Sequence, residues 1–187
     1  MNHKKLIKYS LIIKAVKIIL IAFIFIPDLS ASTKIDKDKK TIINTLEAHK
    51  ERLIEISDNI WEAAEPALLE FKSSKYLWDY AEENGFKVTK GVADIPTAFT
   101  AEYGSGKPII GIMGEFDANP GISQKKQPTK EPLIKGAAGH GCGHNLFGTA
   151  SLGAAIAIKE MIEAGEISGT VRFYGTPAEE TIFAKVW

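Results

Sequence analysis

The sequence predicts an α/β layer fold. Three observations carry that prediction: two stretches of helical periodicity come first, short runs of strand character follow, and an alanine-rich helix then separates two apolar strands. An arrangement of this kind places a site at strand ends, where ligands of open α/β sheets bind. At 187 residues, 45% hydrophobic and 25% charged, the chain has ordinary globular composition and room for one domain.

The first thirty-one residues read as a targeting segment. Lys4, Lys5 and Lys8 form a positive start, Ile18–Ile26 an uninterrupted apolar run, and Ser30-Ala31-Ser32 a small-residue cleavage site after Pro27-Asp28. Lys14 and Lys17 interrupt the longer apolar stretch, leaving an uncharged core of about nine residues, short of the roughly 20 a spanning helix needs. The expectation is a signal peptide or membrane anchor over 1–31, and an exported, periplasmic or secreted protein that is otherwise membrane-anchored.

A polar, lysine-rich stretch follows from Thr33 to Lys40. Ile42, Ile43, Leu46, His49, Leu53, Ile56 and Ile60 then recur at helical spacing, predicting a long amphipathic helix that Pro66 ends. A second helix runs through Leu69, Phe71, Tyr76, Leu77, Tyr80 and Ala81 to a stop at Asn84-Gly85. The period then changes. Phe86–Val88 and Thr97–Tyr103 alternate like strands, Pro108–Met113 is continuously apolar like a buried central strand, and Gly104–Lys107 reads as a hairpin-like connection. Asn119–Gly136, rich in Pro, Lys, Gln and Gly, is an exposed loop. Leu146–Met161 is helical, with Gly148 and Gly153 permitting close packing, and Gly165 stops it. Thr170–Tyr174 is a last strand delivering Thr176–Glu180 at its end.

Lys+Arg and Asp+Glu both number 23, but the first thirty-one residues hold five lysines and one aspartate. The remainder has 18 basic and 22 acidic residues, a net −4. That balance argues against a nucleic-acid partner, which calls for a basic face.

The only cysteine and two of the four histidines lie in Gly139–Asn145. A thiolate and two imidazoles on glycine-rich backbone suit a transition metal. Cys142 and His144 would face apart on a helix, so they must converge from a loop, with Gly139, Gly141 and Gly143 adopting backbone angles closed to other residues. The loop's end lies at a helix N-terminus, which favours thiolate. Carboxylates flank it: Glu115 and Asp117 upstream, Glu179 and Glu180 downstream. One of the latter pair would bind metal while its neighbour moves a proton between water and the leaving amine. Asp117 could orient a ligating histidine, while turn or capping chemistry accounts equally well for Glu115 and Asp117. Cys142 as a nucleophile activated by His140 or His144 is a second catalytic reading. His49, inside the first helix, and His3, in the targeting segment, are not candidate ligands.

The motifs Gly114–Gly121, Gly139–Ala150 and Gly169–Glu180 resemble the amidohydrolases of the zinc-carboxypeptidase and aminoacylase superfamily, and within it the branch that holds the p-aminobenzoyl-glutamate hydrolases. The resemblance runs from about Ile42 to the chain end. It implies a partial three-layer metallopeptidase catalytic domain with a mixed sheet over 32–187, lacking the inserted dimerisation domain. It also implies two divalent cations, Zn or Mn, ligated by Cys142, His144 and Glu180, with Glu179 as general base. Asp117 falls in an acidic segment that supports the site, and His140 lies within the motif as a further candidate ligand. The implied reaction is hydrolysis of the amide bond of a small N-acyl amino acid, in a homo- or hetero-oligomeric protein.

The pattern departs from the family at Thr181-Ile182-Phe183, where relatives carry small, glycine-rich residues, and relatives continue beyond Glu180 to further ligating histidines. The export signal also contrasts with cytoplasmic relatives. Two other expectations follow: a truncated, inactive product of the same lineage, or a membrane-tethered binding module using the metal loop structurally.

Overall fold

The computed structural model describes residues 29–184, with side chains from Asp36 onward. The targeting segment through Asp28 and the terminal Lys185-Val186-Trp187 lie outside the described residues. Among those described, no helix is long and apolar enough to cross a membrane. The chain divides into two units, Met1–Lys40 and Thr41–Trp187. In the first, the described backbone is helical from Leu29, where the sequence suggested only a polar stretch after Ala31. Everything below concerns the second.

Helix α1 (Leu29–Ala63) buries Thr45, Ile56, Ser57 and Ile60 along one stripe and ends as Ala64 turns to φ 41, two residues before Pro66. Helix α2 (Phe71–Glu83) buries Ser73, Ser74, Leu77, Tyr80 and Ala81, whereas Leu69 and Phe71 stay exposed. Asn84 closes it by donating its side-chain amide to the Tyr80 carbonyl at 2.8 Å, and Gly85 continues at φ 81.

Four strands follow: β1 (Lys87–Lys90), β2 (Phe99–Ser105), β3 (Ile109–Glu115) and β4 (Gly169–Thr176). Between β3 and β4 runs helix α3 (His144–Glu163), and a short turn of helix, α4 (Glu179–Ile182), follows β4. The sheet order is β1-β2-β4-β3, with β4 antiparallel to β2 and parallel to β3. The fold is therefore mixed α/β, as expected, but two local expectations fail. Gly104–Lys107 is not a hairpin, because β4 inserts between β2 and β3. The apolar β3 is an edge strand among the described residues, with Ile109 51% and Ile110 48% exposed. A continuous apolar run reports burial on both faces only when neighbours cover both.

Leu77 and Tyr80 of α2, Leu152, Ala155 and Ile156 of α3, and Ile56 and Ile60 of α1 pack with Phe99, Ala101, Val171 and Phe173 of the sheet. Thr100, Glu102, Arg172 and Tyr174 alternate onto the opposite face, where Arg172 donates Nε to Glu102 at 2.6 Å. One close approach matters for the site. A Cβ on Gly148 would lie 2.6 Å from the Glu115 carbonyl oxygen, and one on Gly114 would lie 2.9 Å from the Gly148 Cα. The start of α3 thus rests directly on the end of β3.

Candidate metal centre

The C-terminal ends of the parallel pair β3 and β4 and the N-terminus of α3 converge, and nearly all the chemistry-bearing residues lie there. Glu115 is the last residue of β3 and Asp117 lies two beyond. Glu179 and Glu180 open α4 after β4. His144 opens α3, and Cys142 sits in the loop before it.

His144 is the centre of this arrangement. Its Nδ1 meets Asp117 Oδ1 at 3.0 Å, its Nε2 meets Glu115 Oε2 at 3.0 Å, and Glu179 Oε2 lies 4.0 Å from Nε2. Burial pulls the imidazole pKa down, but the Asp117 hydrogen bond and the charges of Asp117, Glu115 and Glu180 outweigh it and hold the ring above its ordinary value. Glu180 Oε1 approaches Nδ1 at 3.5 Å without a hydrogen bond, since Asp117 takes the Nδ1 proton. Asp117 is fully buried and its other oxygen accepts the Glu180 backbone N–H at 2.8 Å. One carboxylate therefore orients the imidazole and fixes the start of α4.

Two groups have ligand atoms within 4.8 Å of one another: Cys142, His144 and Glu180, and Glu115, His144 and Glu179. Thiolate, imidazole and carboxylate are a donor set that transition metals accept. The buried, unpartnered Glu180 Oε1 is a lone pair that a cation would satisfy. The residues present fit a divalent metal.

His140 stands outside both groups. Its Nε2 donates to the Ile60 carbonyl at 3.0 Å, while Nδ1 is buried without a partner, and burial is the main cause holding its pKa below the usual value. Cys142 is exposed. Its thiol is pushed up, first by a hydrogen bond to Glu180, then by burial and the Glu180 and Glu179 charges. Among the protein groups this direction is opposite to the one expected at a helix N-terminus.

The glycines act differently from expectation as well. Only Gly143, at φ 81, needs left-handed backbone. Gly139 is required by space instead: a Cβ there would lie 2.7 Å from the Ile122 carbonyl oxygen, where Gly139 and Asn119 exchange backbone hydrogen bonds at 3.0 Å. Asn119 Oδ1 also accepts the Gly141 and Cys142 amides at 3.1 and 3.2 Å. Neither Asn119's role nor Glu115's contact with His144 was evident in sequence, because both depend on pairing across 22 to 29 residues. A glutamate closing a strand beside an Asp two residues on was the only signal for Glu115.

No family model matches the chain. It is 47% identical over 142 residues to a p-aminobenzoyl-glutamate hydrolase subunit from Escherichia coli, covering 74% of this chain and 29% of that protein. It is 29% identical over 131 residues to N-acetylcysteine deacetylase of Bacillus subtilis, covering 69% and 33%. Among solved structures, a dinuclear metal binding peptidase of the M20 family from Bacillus subtilis superposes with TM-score 0.60 at 29% identity, over 72% of this chain and 36% of that one. The chain spans about a third of the length of these relatives. The relatives that the similarity reaches are hydrolases of one family. The chain belongs to the M20 peptidase and amidohydrolase family.

Proposed function

We propose that this chain carries the Cys142, His144 and Glu180 portion of a metal-dependent amidohydrolase centre that cleaves the amide bond of a small N-acyl amino acid. The observation that carries the reading is the convergence of those three ligand atoms beside Glu179, at the ends of two parallel strands. Cys142, His144 and Glu180 would hold a divalent ion, Zn or Mn, and Glu115 would face a second position beside the same imidazole, with Glu179 kept for proton transfer. When bound, the metal lowers the pKa of water and polarises the scissile carbonyl.

The protein groups do the rest. Asp117 accepts the Nδ1–H of His144 and so orients the ring with Nε2 as its ligand atom. Glu179 accepts a proton from the attacking water and returns it to the departing amine. The nucleophilic-cysteine reading finds less support. The Cys142 thiol is raised rather than lowered, and the nearby imidazole nitrogens with partners are engaged by Asp117, Glu115 and Ile60.

The E. coli relative is named as one subunit of its hydrolase, which supports assembly with a second polypeptide. The lysine-flanked apolar start supports export or membrane attachment.

The test is metal content by elemental analysis, together with release of free amine from a panel of N-acyl amino acids. The wild-type chain is expected to retain metal after dialysis, and Cys142→Ser to lose most of it. Full metal content in Cys142→Ser would overturn the ligand assignment. Stoichiometric metal with no turnover on any substrate would make the chain an inactive member of its family.

A further inference from the structure

Glu70 has no part in the chemistry above, yet its side chain is 0% exposed. It immediately precedes α2, and its oxygens reach across the fold. Oε1 accepts the Leu68 amide at 3.0 Å and the Ala178 amide at 2.8 Å, and Oε2 faces the Thr97 hydroxyl at 3.1 Å. Burial pushes its carboxyl above the ordinary range, with these hydrogen bonds opposing it.

Ala178 is the residue before Glu179. It is itself fully buried and sits at φ 59, ψ 35, a left-handed conformation that costs a residue with a Cβ about 1–2 kcal/mol. Such backbone persists only where its surroundings over-determine it. On the far side of Glu179, Asp117 Oδ2 accepts the Glu180 amide at 2.8 Å. Two fully buried carboxylates therefore grip the main chain one residue before and one residue after Glu179.

We propose that Glu70 is a positioning residue for the Glu179–Glu180 pair, acting through the Ala178 amide and sharing that task with Asp117. The proposal rests on the roles given to Glu179 and Glu180 above. What the position needs is an acceptor of the right length rather than a charge, because Oε1 takes both amides and the Thr97 hydroxyl can donate or accept. Glutamine fits, with its amide nitrogen donating to Thr97. Alanine leaves the Leu68 amide and the buried Ala178 amide without their acceptor, and methionine fills the volume but leaves the same two unpaired.

The experiment compares the full-length wild type with Glu70→Gln, Glu70→Ala and Glu70→Met. The first readout is amide hydrogen exchange over Pro177–Ile182 without metal. The second is Co(II) titration followed by thiolate-to-cobalt absorption. Glu70→Ala and Glu70→Met are expected to exchange about tenfold faster in that segment, with α3 and β4 still protected, and to bind Co(II) about tenfold more weakly. Glu70→Gln is expected to match wild type in both. Unchanged exchange in Glu70→Ala and Glu70→Met would overturn the proposal. So would faster exchange with unchanged cobalt affinity, or global unfolding of both, since either outcome makes Glu70 a residue of the fold alone. A wild-type chain with no cobalt absorption would sink the metal reading instead, and the exchange result would then decide the Glu70–Ala178 tether by itself.

Discussion

His144 shows how one residue acquires its properties from partners distant in sequence. Its two nitrogens are held by carboxylates from the same strand end, and their combined field outweighs the burial that would otherwise discharge the ring. Glu160 shows the same competition with the opposite sign, away from the site. Burial raises its carboxyl, but hydrogen bonds from Thr45 and His49 outweigh it and leave the pKa below the ordinary 4.5. A carboxylate with a depressed folded pKa adds stability above its unfolded pKa, and that stability fades as pH falls through the folded value. Thermal melts of wild type and Glu160→Gln are therefore expected to differ most near pH 7 and to converge below about pH 4.5. A difference that grew on acidification would contradict the Thr45 and His49 contacts. Helix position alone argues against His49 as a ligand, and the structure places it in this helix-to-helix staple.

Among the elements, α3 decides where the site forms. Its first residue reaches Glu115 because Gly148 lets the helix axis approach the strand end. Gly148→Ala would gain about 1 kcal/mol of helix propensity. It would also force a methyl to within 2.6 Å of a backbone oxygen that cannot step aside. Overpacking of that kind costs about 1–3 kcal/mol, so a net loss of up to about 2 kcal/mol is expected from urea unfolding. Gly153→Ala on the same helix is the control. Its Cβ would meet the Leu53 Cδ1 at 3.1 Å, the movable end of a side chain, so the same propensity gain survives and a stability up to about 1 kcal/mol above wild type is expected. The sequence marked both glycines alike as packing positions. Only the identity of the opposing atom separates them.

At the scale of the molecule, β3 is the unusual strand. Ile109, Ile110 and Met113 are at least 40% exposed on an edge whose hydrogen-bonding side is open among the described residues. An apolar edge of this sort templates self-association. Ile110→Lys is expected to reduce light scattering on concentration or warming while leaving the melting temperature within a few degrees. Unchanged scattering would place the association elsewhere. The helices, their stops at Asn84-Gly85 and Gly165, and most strand positions were legible because they rest on local periodicity and turn chemistry. The place of β3 in the sheet was not, since Ile109–Met113 reads the same whether its outer edge is covered or bare. The hairpin expected at Gly104–Lys107 failed for a related reason: pairing of β2 with β4 spans about 64 to 76 residues, and a short glycine-rich link says nothing about a strand that arrives later.

Which residues could do chemistry was already determined by the amino-acid order: one cysteine framed by histidines on glycines, with acidic pairs closing two strands. Their residue types point to cation binding with proton transfer, or to a cysteine nucleophile, before any fold is known. The tertiary structure alone decided which of them meet. It drew Cys142, His144 and Glu180 together, placed His140 against the Ile60 carbonyl, and brought in Glu115, Asn119 and Glu70 as supporting groups. It also set Glu180 and Glu179 beside Cys142, where they push the thiol upward. Acidity and positioning are set by distances between groups far apart in sequence, and local pattern does not encode those distances.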